Sequence, residues 1–583
     1  MLIHSAFGHS PQKEKKILLV LTEEDIFCAC QILYTDYNKR GDAKMYVKDV
    51  VNQDYRKWKR GDCVFVEAPT GSGKTTFILD VLLPYAQAQG TEILYLSNRF
   101  MLKEQIKTQL MKKQNIPQGL VKEEIEEFDG ITVLNYQKLQ MICELQHESK
   151  YLNERYRYIV CDEIHYLLED AAFNPETLRA LKFLKQTKEI LIGISATIEG
   201  VDELLIQEKY GDAILWNSQK RCTEYLTQID IWGYLSAITG EYRHIFHYKL
   251  PQTVKVNQIF SFKDYELVIE AIRRSDDKEK WLIFQSNKKK AEELRKRLGK
   301  QSHLICADNR SDAILKELIQ EEKFSCRILI STKLLDNGVN VKDMQLKNIL
   351  IDSISKTEFL QMLGRKRLMN EKDGFTLYIP QKSIRTFQGY FSPDVQDIYS
   401  FLNADVSTDQ ICRKLKEKEI YEKVLRFCVW EKGKFVKNPL AVEYYCRKKR
   451  FVEKMLEKMK DDKWAFVKEQ LSWLGGKYTF NPEFSLEYKS QKRILEMIYS
   501  QLCELNERRL DQNEQRKLRE WVTQLLIQEK IVPSNGSRVM GKKALNEFCR
   551  SHNLPFIIES MGGKHKGEET IWIVRRKEAC SGL

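Results

Sequence analysis

Two short stretches hold residue types suited to chemistry on a phosphoanhydride. The first is APTGSGKTT at 68–76. Its glycines let backbone N–H groups close around phosphate oxygens, so Thr70, Gly71, Ser72, Gly73 and Thr76 make a cradle. Lys74 would reach the β- and γ-phosphates, and Thr75 would offer its hydroxyl to Mg²⁺. The second stretch is IVCDEIH at 159–165. Asp162 suits holding Mg²⁺, through water, and Glu163 suits handling the attacking water. A glycine-rich turn with a chance lysine, or a lone D-E-x-H, would say less. A cradle followed by an acid pair, each at the end of an apolar run, points to ATP hydrolysis with ATP and Mg²⁺ as cofactors.

Those residues must be held by a particular scaffold. The order is strand (CVFVEA, 63–68), loop (PTGSGK, 69–74), helix (75–89) and strand (EILYLS, 92–97). A strand feeding a crossover helix and a second strand implies a parallel sheet. Buried-strand runs follow at 130–135, 156–163 and 189–197. They are short, apolar and β-branched, as in a sheet covered on both faces. A second set lies at 281–286, 303–307, 327–332, 348–353 and 375–380, with helical segments at 288–300 and 311–322 between. The duplication is one of pattern, without a sequence repeat.

The pair A-x-x-G-x-G-K-T and D-E-I-H resembles motifs I and II of superfamily 2 helicases, of the DEAD/DEAH-box (DExH) kind carried by bacterial chromosomes and mobile elements. Ala68 stands where the general loop has Gly, which is the helicase variant. The resemblance covers residues of about 60–385 and implies two tandem RecA-like domains with ATP between them. It assigns Ser195 and Thr197 of S-A-T, with His165, to coupling hydrolysis to nucleic-acid movement. SNR (97–99) places Arg99 at the phosphodiester backbone, and VLNYQKL (133–139) places Asn135 there. LIFQS (282–286) resembles motif IV. STKLLDNGVN (331–340) resembles motif V, with Thr332 at nucleic-acid phosphate and Gly338 and Asn340 near the nucleotide. QMLGRKR (361–367) resembles motif VI, which would put Gln361 and Arg365 at the γ-phosphate. The family form is Q-x-x-G-R-x-x-R. Here the last position is Leu368, so either Arg367 serves one place early or Arg365 serves alone.

The 583 residues carry a formal charge of +13. Residues 401–583 hold 37 Lys and Arg against 26 Asp and Glu, so the last third carries +11 of it. A basic tail on a nearly neutral body suits a polyanionic partner. The fourteen Cys include no C-x-x-C, which argues against a zinc site and for reduced thiols in a cytoplasmic protein. No run of 18 apolar residues exists, so no membrane span is expected. Only Cys143 and Cys161 lie between motifs I and II, too few for an iron–sulfur cluster. Glu483, Glu487 and Lys489 have nuclease residue types without nuclease spacing. RKKR (447–450) reads equally as a phosphate patch or a solvated helix face, and Trp430, Tyr444 and Tyr445 as base-stacking or core aromatics.

The expected organisation is an α/β chain with an extension at 1–55, RecA-like domains at 56–200 and 256–390, and a linker at 201–255. A mostly helical basic region follows at 391–534, and 535–583 reads as either a winged-helix module or a small α/β cap packed on the rest. The expected function is an ATP-dependent helicase or translocase with DNA favoured over RNA. Two alternatives stand beside it: a DNA-stimulated translocase of a restriction or anti-phage complex, and a nucleotide-switched DNA-binding regulator. The intact Glu163 speaks against the regulator.

Overall fold

The computed structural model describes residues 45–98, 100–116, 125–144, 152, 154–171, 174–198, 200–210, 245–251, 255–306, 312–332, 339–370, 372–391, 427–431, 434–476, 478–528, 539–562 and 569–577. The first sheet comprises β1 (Cys63–Glu67), β2 (Glu92–Ser97), β3 (Glu127–Phe128), β4 (Ile131–Asn135), β5 (Tyr156–Asp162), β6 (Ile190–Ser195) and β7 (Ile245–Lys249). Their order is β3-β4-β2-β5-β6-β1-β7. All neighbours are parallel except β3 and β4. The second sheet comprises β8 (Val256–Phe262), β9 (Lys280–Gln285), β10 (Ser302–Ile305), β11 (Ile328–Ser331), β12 (Leu346–Asp352) and β13 (Phe375–Pro380), in the wholly parallel order β10-β11-β9-β12-β13-β8.

Strands buried on both faces explain the unbroken apolar runs. Every residue of β1 and β6 is buried. Alternation divides them between two cores, since side chains leave a strand with period two. Phe65, Leu94, Ile159 and Leu191 join one core, while Val64, Ile93, Val160 and Ile192 join the other. The second sheet also has a core on each face.

The edges of these units are wider than the motifs suggested. Val47, Val51 and Tyr55, within the stretch read as an extension, are buried in a first-sheet core. Ile245–Lys249, within the stretch read as a linker, is β7 and pairs with β1. The helix expected at 75–89 is present, but it begins as Lys74–Phe77, widens to a π-turn at Ile78–Leu82 and resumes as Leu83–Ala88. Pro84 lacks the N–H that would bond the Asp80 carbonyl, which disturbs the regular ladder there.

Beyond the sheets lie the hairpin β14 (Cys428–Glu431) and β15 (Lys434–Lys437), then the helix Pro439–Asp461. The chain then runs through helix Leu486–Glu504, β16 (Arg509–Leu510), helix Gln512–Gln528, helix Lys542–Ser551, β17 (Phe556–Met561) and β18 (Ile571–Arg576). The last three strands form an antiparallel sheet in the order β16-β18-β17. Three helices thus accompany a small antiparallel sheet in this region. Its single core takes Ile494, Ile498, Leu502, Leu518 and Val522 from the two earlier helices, with Leu545, Phe548 and Val574. The unit therefore starts near 486, and a cut at 535 would split its core. Lys564 and Lys566 lie outside the described residues.

Candidate nucleotide site between the two sheets

The cradle sits at the carboxyl end of β1. Gly71 and Gly73 take φ of 85° and 78°, left-handed values that a side chain resists. Behind the cradle, the Val47 N–H donates to the Ser72 carbonyl at 2.9 Å. The Tyr46 ring would stand 3.3 Å from a Cβ placed on Gly73. Residues ahead of the motifs thus support the loop, although their types announce no chemistry. Lys74 Nζ donates to the Ala68 carbonyl at 3.1 Å and lies 3.7 Å from Glu163 Oε1.

Asp162 closes β5, and Glu163 follows with φ of 49°. A non-glycine residue held there costs energy that the fold must offset, and such strain concentrates at functional positions. Burial and the charge of Glu163 push the Asp162 carboxyl above its usual range, against the pull of Lys74 and Tyr95. Burial also disfavours the charge on Glu163, but Lys74, His165 and Arg365 outweigh it and hold that carboxyl low. Glu163 is thus the more readily ionised member of the pair.

Tyr95, which the motifs did not single out, is buried behind both groups, with its hydroxyl hydrogen-bonded to Asp162 and to Thr75. One hydroxyl therefore gathers the two oxygens expected at Mg²⁺. Two hard oxygen donors beside a phosphate cradle fit a cation that keeps several waters and takes few protein ligands. The only sequence sign was a hydroxyl inside an otherwise apolar strand run.

The residues expected to couple form one chain of contacts. His165 Nδ1 lies 2.7 Å from Ser195 Oγ, and Ser195 Oγ donates to Glu163 Oε2 at 3.3 Å. The Gln361 amide nitrogen lies 2.8 Å from His165 Nε2. One ring nitrogen of His165 thus meets Ser195 and the other meets Gln361. Thr197 Oγ1 donates to Thr357 Oγ1 at 3.0 Å. Both Thr357 and Gln361 lie on helix Lys356–Leu363 of the second sheet's unit, so these two contacts cross between the units.

Motif VI sits directly on the cradle. A Cβ on Gly364 would meet Thr70 Oγ1 at 2.5 Å, and one on Gly71 would meet an Arg367 nitrogen at 2.7 Å. Glycine on each side thus permits the approach. Arg367 Nε donates to Asn340 Oδ1 at 2.8 Å. Burial and then the charge of Arg365 lower the Arg367 guanidinium to about 10, which leaves it charged at neutral pH. Arg365 is buried and acts electrostatically on Glu163. The irregular motif therefore brings both arginines to the site, with Arg367 against the cradle. Between them, Lys366 is fully buried and turned away, paired with Asp373 at 2.9 Å.

The residues expected at nucleic acid are placed less decisively. Asn135 caps the helix Tyr136–Glu144, its Oδ1 accepting from Lys138 N at 2.7 Å. Thr332 lies just past β11, its N–H donating to the Ile305 carbonyl. Arg99 and Gly338 lie outside the described residues. Glu487 accepts from the backbone N–H groups of Lys263 and Asp264, and Lys489 lies over the Phe260 ring at 3.8 Å, so both serve packing. Tyr444 and Tyr445 pack against the first sheet's core; the side chain of Trp430 lies outside the described residues. No group of three or more potential metal-binding side chains was found among the described residues, and no described helix is long and apolar enough to cross a membrane.

Residues 36–200 match the family described as type III restriction enzyme, res subunit, a span that includes the cradle, the acid pair and S-A-T. A protein of Sulfolobus islandicus filamentous virus with the assigned name helicase 22 is 21% identical over 343 residues, which is 54% of this chain. The chain spans 59% of that relative's length. Among solved structures, Mss116p bound to ssRNA and AMP-PNP is 12% identical with a TM-score of 0.42, covering 79% of this chain and 98% of its own. A fragment assigned as the HsdR subunit of a type I restriction enzyme from Vibrio vulnificus is 19% identical with a TM-score of 0.36, covering 60% of this chain and 65% of its own. Over residues 36–200 the chain thus resembles a restriction res-subunit family, and over about half its length a protein named as a helicase, both in accord with the resemblance read from its motifs.

Proposed function

We propose that this chain is an ATP-dependent nucleic-acid motor, a helicase or translocase that prefers DNA. One observation carries the reading. Motif VI of the second sheet's unit rests on the phosphate cradle of the first, with Arg367 against Gly71 and Gly364 against Thr70. A triphosphate in the cradle would face cations from both units, so its γ-phosphate would favour their closure and its loss would release them. Lys74 binds phosphate, Thr75 and Asp162 hold Mg²⁺, and Glu163 orients and deprotonates water. Arg365 and Arg367 stabilise charge as it develops on the transferred phosphoryl group. The Gln361–His165–Ser195–Glu163 chain links closure to the hydrolytic carboxylate. Mg²⁺ held by Thr75 and Asp162 would supply positive charge that neutralises the phosphates.

Nucleic acid would cross both units perpendicular to this cleft, near Arg99, Asn135 and Thr332. A winged-helix reading of the C-terminal unit supports duplex DNA as the substrate. The match to a restriction res-subunit family favours, as a second form of the same reading, a translocase that moves on DNA within a larger complex without separating strands. Phosphate release would be measured with ssDNA, dsDNA and RNA in parallel, beside displacement on a tailed duplex. The motor reading expects stimulation by DNA above RNA. No stimulation by any nucleic acid would reject it, and stimulation without displacement would select the translocase.

A further inference from the structure

The helix Pro439–Asp461 belongs to both motor cores. Its 23 residues span about 34 Å at the helical rise. At its start, Leu440 and Ala441 are fully buried in a first-sheet core. Asn438 caps that end, accepting from Leu440 N at 3.1 Å, and its amide reaches the Pro175 carbonyl at 3.4 Å. Toward the other end, Val452, Met455 and Met459 are buried in a second-sheet core. The seam between these anchors is RKKR, residues 447–450.

At this seam, neighbouring side chains reach opposite units. Arg447 pairs with Glu203 at 2.5 Å and Glu443 at 2.7 Å. It lies so close to Gly200 that a Cβ there would stand 2.2 Å from Arg447 Nε. Gly200 and Glu203 directly follow the S-A-T strand, and Glu203 lies on helix Val201–Tyr210. Lys448 instead lies 4.6 Å from the centroid of the Tyr390 ring, which packs on the second sheet's core. Arg447 and Lys448 thus each engage one unit, whereas Lys449 and Arg450 pair with Glu453 and Glu443 of the same helix.

We propose that this helix is a strut that sets how closely the two sheets approach, and that Arg447 is a positioning residue holding the S-A-T segment in register with helix Lys356–Leu363. A hydrogen-bonded helix does not stretch. The sheets separate only if one anchor leaves its core or the helix bends at the seam, where apolar burial is least. Arg447 ties that seam to the segment carrying Thr197, whose hydroxyl meets Thr357 across the cleft. Loosening the tie would misplace the closed state while leaving the cradle intact. The strut rests on the motor reading above.

The test uses the full chain with ATP and DNA. Arg447→Ala should lower kcat about tenfold while KM for ATP stays within about twofold and the melting temperature within about 2 °C. Arg447→Lys, which keeps an ion pair, should recover most of kcat. Arg447→Glu should be at least as slow as Arg447→Ala, and adding Glu203→Arg should restore activity above the single variant. Wild-type kcat in Arg447→Ala, a loss confined to KM or melting temperature, or a double variant no better than Arg447→Glu would overturn the strut alone. A wild-type chain without turnover on any nucleic acid would overturn the motor reading, and the strut with it.

Discussion

The two sheets end comparable strands in a buried aspartate beside a tyrosine, yet the two aspartates are prepared for opposite work. Asp162 closes β5 of the first sheet and bonds Tyr95. Asp352 closes β12 of the second and accepts from the Tyr265 hydroxyl at 2.6 Å. Asp352 also accepts from Gln285 at 2.9 Å and forms an ion pair with Lys382. Burial works against its charge, but Lys382 and these donors hold the carboxyl below its usual range. Asp162 is pushed the other way by burial and Glu163. A carboxylate already matched to its own lysine is structural, whereas one crowded by a second acid stands ready for an added cation. Position in the sheet therefore does not make a catalytic acid; the charge balance around it does.

The sharpest way to break this contrast is to remove the cation of the first sheet. Lys74→Ala should abolish ATP turnover, because the cradle loses its own cation at the β- and γ-phosphates. Phosphate release within threefold of wild type would sink the site. Glu163→Gln keeps shape and loses the base, so hydrolysis should fall by about 10² to 10⁴ with ATP binding retained. Loss of nucleotide binding in that variant would instead give Glu163 a metal or structural role.

The second sheet's contribution separates into its two arginines. Arg367→Ala should lower kcat by about a hundredfold with little change in ATP affinity, since its contact should strengthen as charge develops. Arg365→Ala should do the same if both act on the phosphoryl group. Single-turnover rates of the two variants resolve the irregular motif. Full activity in Arg367→Ala would show that Arg365 serves alone, and that the approach to Gly71 is only packing.

Much of this was legible because function restricts residue type. The cradle needs glycine, the acid pair needs carboxylates, and parallel strands need unbroken apolar runs, so each leaves a mark at fixed spacing. What the chain hid depended on long-range packing. Tyr95 reads as one more strand aromatic until β2 and β5 are set side by side. β7 lies well after β1 in sequence and pairs with it only in three dimensions. Motif VI broke its pattern at Leu368, and spacing alone offered no choice between Arg365 and Arg367. The C-terminal unit showed only its last helix and two strands, because the two earlier helices look like any amphipathic pair until one core joins them.

The aspartate comparison also predicts an effect on stability. Lys382→Met leaves the Asp352 carboxylate buried without its cation, which should cost about 3–5 kcal/mol at neutral pH. The folded pKa of Asp352 lies below its ordinary value, so its stabilisation is present above the ordinary carboxylate range. It is lost as pH falls through the folded value. The gap between wild type and Lys382→Met in denaturant melts should therefore be widest near neutrality and should narrow on acidification. A gap independent of pH would mean that Lys382 contributes by packing alone.

The smallest expected effect lies in the C-terminal unit, where the contrast is between a cleft and a surface. Leu545, Phe548 and Cys549 turn one face of helix Lys542–Ser551 into the core, while Lys543 and Arg550 are exposed. Asn546 fixes the helix to β17 through two hydrogen bonds with the Ile558 backbone, at 2.9 and 2.7 Å. The exposed face is thus held rigid with its cations outward, the geometry that a groove of DNA would meet. Phosphate contacts add affinity and salt dependence without sequence choice. Replacing Lys543 and Arg550 together with alanine should weaken duplex binding severalfold. If each contacts one phosphate, the log–log salt slope should become shallower by about 0.9 per residue. Substitution is the right tool, because truncation at 535 would open the core shared with Leu502 and Val522. Fluorescence anisotropy of a labelled duplex across a salt series gives both quantities. Unchanged affinity and slope would make this unit a packing cap on the motor, and the case for duplex DNA would then rest on the cleft alone.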